Sequence, residues 1–522
     1  MTCANACCAD RVPKEFEMST LVPLFVPSCN DTQKFMKYDL SAWAWGLQVT
    51  AMAGVALVLS GCVSTIGRQP EVAAIDVPRA WSIDSPSASS EPTVLDQWWL
   101  RFEDPLLASL IARSLNANTS IESAKSALRQ ARALRDVAAA GLLPAVGSSA
   151  SVQHGTSGGH STGNSFKLGL DASWELDFFG GNRSALYASE ALTRASEATL
   201  GDVQRSIAAE VALAYITMRS AQARLSVATE NLASQQDTLQ ITQWRLQAGL
   251  VSSLEAEQAR AAAEQTSAQL PALQTSLEQT RHAIAVLTGQ PPAALSPELA
   301  PTGPIPRATD GLALNIPAET LRRRPDVRAA EQQVMAALAR VAQADAARYP
   351  SFKLNGSIGL NALTLGALTN GASIVSAVLA GVSWPVFDGG AAVAQVRAQQ
   401  AAAEQSRFAY RAVVLTALKE VEDALIALRG DRERLLRLQS AAGAASDAAL
   451  MARQRFASGL VDFQVVLETQ RTQLSSQDAV AGANADLAAD HVRLFKALGG
   501  GWLPNDVDSA VTLTDAPLST RK

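Results

Sequence analysis

The chain carries an internal repeat, and this repeat limits the folds that the sequence can adopt. The segment WELDFFGGNRSALYASEA at 174–191 parallels WPVFDGGAAVAQVRAQQA at 384–401. Further along, RLQAGLVSSLEAEQAR at 245–260 parallels RFASGLVDFQVVLETQR at 455–471. Each half therefore predicts the same series of elements: a helix, a strand pair, a long helix, a short Gly-Leu turn and a returning helix.

Two stretches of the chain predict unusually long helices. The stretch 182–248 contains no proline and is rich in helix formers, and about 66 helical residues would span about 100 Å. The stretch 390–458 is similar. Within it, apolar residues recur at the three-and-four spacing of a coiled-coil seam, namely Leu418, Val421, Leu425, Leu428 and Leu435. Both stretches carry charges throughout, so we predict coiled-coil helices rather than membrane-spanning ones.

The segment FKLGLDASWELDF at 166–178 alternates apolar and polar residues without a break. This alternation is longer than the strand of about 5–6 residues that is typical of soluble proteins. It fits a tilted strand of a membrane barrel, with apolar side chains toward lipid and polar ones toward the lumen. A strand of a soluble sandwich is the alternative. Weaker alternation predicts three further strands, at 145–153, 351–360 and 374–387.

All five cysteines of the chain lie within its first 62 residues, and the last of them, Cys62, follows an apolar run. Lys34 and Lys37 precede this run, WAWGLQVTAMAGVALVLS, in the layout of a secretory signal peptide. The residues Leu-Ser-Gly-Cys at 59–62 resemble the bacterial lipoprotein box, so we predict acylation of Cys62. Several acyl chains on one residue fix a protein to a bilayer. An inner-membrane anchor helix that ends in a cysteine is the alternative.

Composition argues against some classes of function. The formal net charge of −5 argues against a nucleic acid partner, which requires a basic face. Aromatic residues make up only 5% of the chain, which suits long, closely packed helices better than a large aromatic core. After cleavage before Cys62, a single cysteine would remain, so the mature chain would form no internal disulfide.

The sequence contains no convincing catalytic or metal-binding arrangement. GTSGG matches the nucleophile-elbow pattern around Ser157, but it lies in a loop between strands rather than at a strand-to-helix turn. His154 and His160 share that loop, where weak metal binding is the alternative to a solvated surface. His282 and His491 stand singly on predicted helices. We therefore predict no enzymatic activity, no metal and no cofactor.

Three longer segments, QWWLRFEDPLLASLIARSL, RRRPDVRAAEQQV at 322–334 and LFKALGGGW at 494–502, resemble the TolC-like outer-membrane efflux proteins. The resemblance covers nearly all of 90–503 and is strongest to the NodT-type lipoprotein branch. It implies a mainly α fold with a membrane β-barrel. Three identical chains would each give four strands to a 12-stranded barrel in the outer membrane. Their long coiled-coil helices would form a periplasmic α-barrel.

Physical reasoning from the strands agrees with an oligomer. Four strands are fewer than the eight or so that close the smallest bacterial membrane barrels. Open strand edges are excluded from lipid because each unpaired backbone group there costs several kcal/mol.

The predicted turns at Gly249-Leu250 and Gly459-Leu460 form the tips of two helical hairpins. Glycine permits the left-handed conformation that commonly ends a helix. A leucine whose side chain is exposed at such a tip would have no role in folding, which suggests that it contacts a partner. The alternative is that each leucine only closes its own turn. The resemblance implies that these tips face the periplasm and dock an adaptor protein.

Four acidic residues follow the tips: Glu255, Glu257, Asp462 and Glu468. Threefold symmetry would turn an inward-facing carboxylate into a ring that favours cations and narrows a pore. The resemblance implies aspartates at a tunnel gate in this region. Glu468 falls at one such position, and Val465 occupies another. A solvated helix surface is the alternative for each carboxylate.

The resemblance implies a passive exit duct for small toxic compounds or drugs. A periplasmic adaptor protein and an inner-membrane RND-type pump would be its partners, beside outer-membrane lipid. A duct for type I protein secretion and a lipid-anchored periplasmic coiled-coil scaffold are the alternatives. The predicted segments are a mis-called extension (1–35), a lipoprotein signal peptide (36–61), a lipidated linker (62–92), two structural repeats (93–300 and 301–503) and a disordered tail (504–522).

Overall fold

The structure is a computed structural model, and it describes residues 78–82, 95–157, 161–308 and 317–502. Cys62, the predicted signal peptide at 36–61 and the predicted tail at 504–522 lie outside the described residues.

The described elements repeat in the predicted order. The first half contains α1 (Pro105–Ala117), α2 (Thr119–Ala140), β1 (Ala145–Ser157), β2 (Ser161–Leu176), α3 (Gly181–Gln247), α4 (Ser253–Ser267) and α5 (Gln269–Leu287). The short helix α6 (Ser296–Leu299) follows. The second half contains α7 (Pro317–Arg323), α8 (Pro325–Ala346), β3 (Ser351–Ala362), β4 (Ile374–Ser383), α9 (Ala391–Ala457) and α10 (Phe463–Ala497). Single 3-10 turns lie at Trp98–Phe102, Leu365–Thr369 and Gly371–Ser373. The internal repeat is thus present in the fold.

Helices α3 and α9 contain 67 residues each, which corresponds to about 100 Å. The predicted seam of α9 is confirmed, since Val421, Leu425 and Leu435 are buried. Leu418 and Leu428 pack partly buried against the same cores. Among the described helices, none has both the length and the apolar character that crossing a membrane requires.

The four described strands form one sheet in the order β1-β2-β3-β4, and every neighbouring pair is antiparallel. Strands β2 and β3 approach closely at Gly359, where an added Cβ would lie 2.6 Å from the carbonyl oxygen of Leu168. The predicted fourth strand reached residue 387, whereas β4 ends at Ser383. Pro385 explains the earlier end, because proline has no N–H to donate to a ladder.

The largest buried core surrounds Trp98, whose ring stacks on Phe495 at 5.4 Å between centroids. The glycines after Phe495 let the chain close over this core. A Cβ on Gly500 would lie 2.8 Å from the carbonyl oxygen of Leu95, and Trp502 occupies the space beside Gly201. The segment LFKALGGGW is therefore a packing motif that fastens the end of α10 to the start of the described fold.

Candidate channel wall, gate and docking tips

The sheet has one apolar face, and this face is exposed in the isolated chain. Cross-strand pairing places on one side Val146, Leu168, Leu170, Leu354, Ile358, Val378 and Val382. All seven side chains are exposed, and Val378 reaches 80%. An apolar surface of this extent marks an interaction site, and it matches the lipid-facing side of a barrel wall.

The opposite face of the sheet is polar over β1, β2 and β3. On this side, the hydroxyl of Ser149 donates to a carboxylate oxygen of Asp171 at 2.8 Å. Lys353 forms an ion pair with Glu175 at 3.6 Å between Nζ and Oε2. The alternation predicted for 166–178 thus extends over β1, β2 and β3, whereas β4 also places the exposed side chains of Val375 and Leu379 on this face. The polar part of the face suits a water-filled lumen.

Aromatic residues gather where the strands meet the helices. The indole N–H of Trp174 donates to the carbonyl of Leu142 at 3.0 Å, and that of Trp384 donates to the carbonyl of Arg348 at 3.1 Å. The two tryptophans occupy equivalent positions in the repeat. Ring contacts join their neighbours Phe178, Phe179, Tyr349 and Phe352. Aromatic girdles of this kind flank the apolar band of membrane barrels.

Both ends of the described sheet are unpaired, because β1 and β4 each have a single strand neighbour. The four strands contain 13, 16, 12 and 10 residues. A tilted strand of about 9–11 residues spans a bilayer, so each strand is long enough to cross.

The two hairpin tips have the predicted left-handed glycines. Gly249 has a φ of 71° and Gly459 a φ of 72°. After each glycine, the leucine N–H donates back to a helix carbonyl, from Leu250 to Arg245 at 2.9 Å and from Leu460 to Arg455 at 2.8 Å. The glycine N–H groups close the second bond of a Schellman motif at each tip.

The leucine side chains at the tips are exposed, 70% for Leu250 and 74% for Leu460. Since the backbone alone closes both turns, these side chains are available to a partner. A small core beneath them holds the two hairpins together. Phe456 and Phe463 contact each other at 5.5 Å between ring centroids, and Arg245 lies 4.6 Å from the Phe456 ring while donating to its carbonyl.

The four predicted acidic residues have different surroundings. Glu255 accepts from the backbone N–H of Ser252 at 2.8 Å, which completes a capping box at the start of α4. Glu257 is exposed and lies 3.8 Å from Arg260. Asp462 occupies the N-cap position of α10 without a side-chain cap bond. Glu468 is exposed.

Glu468 follows Val465 by three residues on α10, and Val465 is 43% exposed. Because residues at this spacing are neighbours on one helix face, the two side chains share a surface. Of the four acidic residues, Asp462 and Glu468 have no side-chain hydrogen bond or ion pair among the contacts of the described residues.

The other positions that the sequence analysis considered are described only in part. His160 lies outside the described residues, as does the side chain of Ser157. His154 contacts Asn164 at 2.6 Å between Nδ1 and Oδ1, and His491 contacts the carbonyl of Leu487 at 2.9 Å. In the described ranges, no group of three or more metal-binding side chains comes together.

Sequence reasoning missed a buried ionic cluster around Arg324, which is 1% exposed. Its guanidinium donates to both carboxylate oxygens of Asp326 at 3.0 and 2.6 Å, to Glu420 at 2.7 Å and to the carbonyl of Ala497 at 3.0 Å. Burial opposes ionisation of Asp326, but the bond from Arg324 and the charges of Arg205 and Arg324 hold its pKa below the ordinary value. The cluster joins α8, α9 and the end of α10.

A second polar cluster lies at the start of the fold. Asp104 caps α1 by accepting from the N–H groups of Leu106 and Leu107 at 3.0 Å each. It also accepts from the hydroxyl of Tyr215 at 2.8 Å. Burial is the main cause that raises the pKa of Tyr215 to about 12. The motifs QWWLRFEDPLL, RRRPDV and LFKALGGGW therefore encode structural contacts among the ends of helices, rather than a site of chemistry.

Known proteins are similar to this chain in sequence and in fold. The sequence profile of the family described as Outer membrane efflux protein matches residues 110–290 and 316–500, one range in each repeat. The pyoverdine export outer membrane protein OpmQ of Pseudomonas putida is 33% identical over 449 residues, covering 83% of this chain and 94% of OpmQ. Nodulation protein T of Rhizobium leguminosarum bv. viciae is 29% identical over 460 residues, covering 88% of this chain and 95% of that protein. The solved outer-membrane channel OprN has a TM-score of 0.78 at 36% identity, covering 84% of this chain and 99% of OprN.

Proposed function

This chain belongs to the outer membrane efflux protein family, and from that premise we propose that three copies form the exit duct of a tripartite efflux system. The observation that carries the proposal is the described sheet, with an exposed apolar face, a second face that is polar over three of its four strands, and two unpaired edges. Strands β1 and β4 run in opposite directions, so β4 of one copy can pair antiparallel with β1 of the next. Three copies then give a closed barrel of 12 strands, which satisfies every edge.

The hairpin tips dock a periplasmic adaptor protein, which links the duct to an inner-membrane pump of the RND type. Leu250 and Leu460 support this role because their side chains are exposed although their turns are closed by backbone bonds. Three copies of two tips would present six leucines to the adaptor. Exposed apolar anchors of this kind contribute most of the energy of an interface once they are buried.

The gate lies just above the tips. Glu468 and Asp462 are its acidic groups, because each is exposed and carries no side-chain bond among the described contacts. Glu255 serves its own helix through the capping box, and Glu257 is a weaker candidate beside Arg260. Opening follows if the adaptor binds the open arrangement of the tips more tightly than the closed one.

Cys62 anchors the chain to the periplasmic leaflet of the outer membrane through its acyl groups. The described segment that follows Cys62 in the chain, 78–82, lies against α9, where the N–H of Ser82 donates to Glu422 at 2.9 Å.

The duct passes small toxic compounds or drugs passively and catalyses no reaction. OpmQ is named for pyoverdine export, and a wide, water-filled tunnel selects little among small solutes. Substrate choice would then belong to the pump. Protein secretion through an ABC-type system is the alternative for the same duct, and a periplasmic scaffold is the alternative without a pore.

A photo-crosslinking residue at Leu460 in living cells tests the docking role. We expect it to capture an adaptor encoded beside an RND pump, identified by mass spectrometry. The matched control is Leu436, which is 64% exposed on α9 and lies roughly 35 Å from the tip. An adaptor of an ABC-type secretion system would move the function to protein export. Equal capture at both positions, or none with trimers confirmed, would contradict docking at the tip.

Purified protein in planar bilayers tests the pore itself. We expect trimers with heat-modifiable gel mobility and single-channel conductance. A monomer that does not conduct would exclude the duct and favour the scaffold.

A further inference from the structure

Asp490 is a buried carboxylic acid on α10 with an incomplete set of partners. Its residue is 1% exposed. One carboxylate oxygen accepts from Arg493 at 2.6 Å, while the other oxygen, Oδ2, is buried and has no hydrogen-bond partner among the described residues. Arg493 is 57% exposed, so its charge is largely solvated. An ionised carboxylate in this position lacks the bonds that normally offset burial.

A second carboxyl group, Asp431, lies on α9 one turn before Arg434, and Arg434 pairs with Asp486, one turn before Asp490, at 3.1 Å. In the antiparallel α9–α10 hairpin this places Asp431 opposite Asp490, and Asp431 contributes to the raised pKa of Asp490. Arg434 is divided between Asp431 at 3.4 Å and Asp486 at 3.1 Å. Two carboxylates this close repel each other when both are ionised, and a proton between them converts the repulsion into a hydrogen bond.

Polar and apolar side chains of neighbouring described elements surround this pair. On α10, His491 contacts the carbonyl of Leu487. From the segment 301–308, Arg307 donates to Asn484 at 3.3 Å rather than to either acid. The α3 residues Val211 and Met218, which share a core with this part of α10, are apolar.

We propose that Asp490 and Asp431 form a proton-binding site that fastens α9 to α10. One shared proton completes the bonding of Oδ2, so the hairpin that ends at Gly459 and Leu460 packs more firmly at mildly acidic pH than at neutral pH. The site takes up a proton from water and transfers no other group.

The direction follows from the two states of Asp490. The pKa of Asp490 is raised from 3.8 for the unperturbed group to about 6, chiefly by burial. Asp431 raises this pKa further, whereas Arg493 lowers it. A raised carboxyl pKa gives stability that is fully present below 3.8 and is lost as pH rises through about 6. Between pH 7.5 and pH 5.0, the closing equilibrium should therefore improve about tenfold.

Hydrogen exchange followed by mass spectrometry on the purified full-length protein measures the pH dependence of the α9–α10 contact at the level of single peptides. We compare peptides from 425–437 and 484–496 at pH 5.0 and pH 7.5, after correction for intrinsic exchange rates. The wild type should show about tenfold greater protection at pH 5.0. Asp490→Asn should be equally protected at both values, because the amide has the shape of the protonated acid and cannot ionise.

Two further variants separate this site from general acid effects. Asp478→Asn removes an exposed carboxylate on the same helix, which pairs with Arg224 at 2.6 Å, and should keep the wild-type pH dependence. Asp431→Asn should reduce the dependence, because the neighbouring charge is gone. Protection that does not change with pH in the wild type, or a full tenfold change that persists in Asp490→Asn, would overturn the proposal.

The consequence for channel opening rests on the proposed function and has its own readout. We expect single channels to open less often at pH 5.0 than at pH 7.5, and this difference to vanish in Asp490→Asn. If hydrogen exchange depends on pH as expected but the protein does not conduct, the proton-binding site is supported and the proposed duct is contradicted. If the protein conducts but hydrogen exchange does not depend on pH, the duct is supported and the proton-binding site is contradicted.

Discussion

Replacing Arg324 with methionine should destabilise the fold by about 3 kcal/mol, because it removes the cation from a buried ionic cluster. Methionine keeps much of the volume of the side chain but can donate no hydrogen bond. Four bonds are lost: two to Asp326, one to Glu420 and one to the carbonyl of Ala497.

The magnitude follows from what remains around each stranded acceptor. Breaking a buried ion pair on one side costs about 3–5 kcal/mol. Here the cost falls at the lower end, because Asp326 keeps Arg205 at 3.5 Å and Glu420 is 47% exposed and regains water. The carbonyl of Ala497 loses a buried donor, which contributes about 1 kcal/mol or more.

The assay is unfolding of the purified protein at neutral pH, followed by tryptophan fluorescence and by loss of heat-modifiable mobility. Lys419→Met is the matched control, since it removes an exposed cation adjacent to Glu420 whose pairing with Asp423 at 2.6 Å is solvated. Exposed pairs of this spacing contribute about 0.3–0.5 kcal/mol. Equal stability of the two variants would refute the view that the Arg324 cluster holds these helix ends together.

Four further changes test other parts of the molecule. Gly201→Val should cost about 1–3 kcal/mol in unfolding experiments, because even a Cβ there lies 2.6 Å from the Trp502 ring. Gly443→Ala, where nothing lies within 4 Å, should instead stabilise α9 by about 0.5–1 kcal/mol. Cys62→Ala should abolish incorporation of radiolabelled fatty acid, and label that persists would contradict the lipoprotein assignment. Glu468→Gln should lower the preference of single channels for cations, and an unchanged reversal potential would place this carboxylate away from the pore.

The strands, long helices and tips were predictable because their signals are local. Alternation at 166–178 fixes a strand and its lipid-facing side chains within one stretch of sequence. Likewise, a glycine after a long helical pattern predicts a left-handed turn, as found at Gly249 and Gly459. Ser252 and Glu255 also carried a local signal, the capping box, which explains Glu255 more directly than a gate does.

The ionic cluster around Arg324 and the pair formed by Asp490 and Asp431 were not predictable, because each joins residues that are distant in the chain. Arg324 and Glu420 are separated by 96 positions, and Arg324 and Ala497 by 173. Helical periodicity predicts which face of α9 is buried, but it does not predict which buried position will hold an acid. Asp490 lies one turn from Leu487 and from the buried Leu494, where the apolar pattern alone would place another apolar residue.

The Arg324 cluster and the Asp490–Asp431 pair should change the stability of the fold in opposite directions as pH falls, and variants can separate the two contributions. The lowered pKa of Asp326 means that its stabilisation is present above 3.8 and is lost as pH falls through its folded value. The raised pKa of Asp490 means that its cost appears as pH rises from 3.8 to about 6, and reaches about 3 kcal/mol at most.

Unfolding measured from pH 3 to pH 8 should therefore show two arms. Asp326→Asn should flatten the acidic arm alone, whereas Asp490→Asn should flatten the arm between pH 4 and pH 6 alone. Two variants that alter the same arm would mean that the clusters are one coupled network. Arg324 binds the C-terminal part of α10, and Asp490 lies in that part. Such coupling would therefore transmit a change of pH from the contact between α9 and α10 to the end of α10.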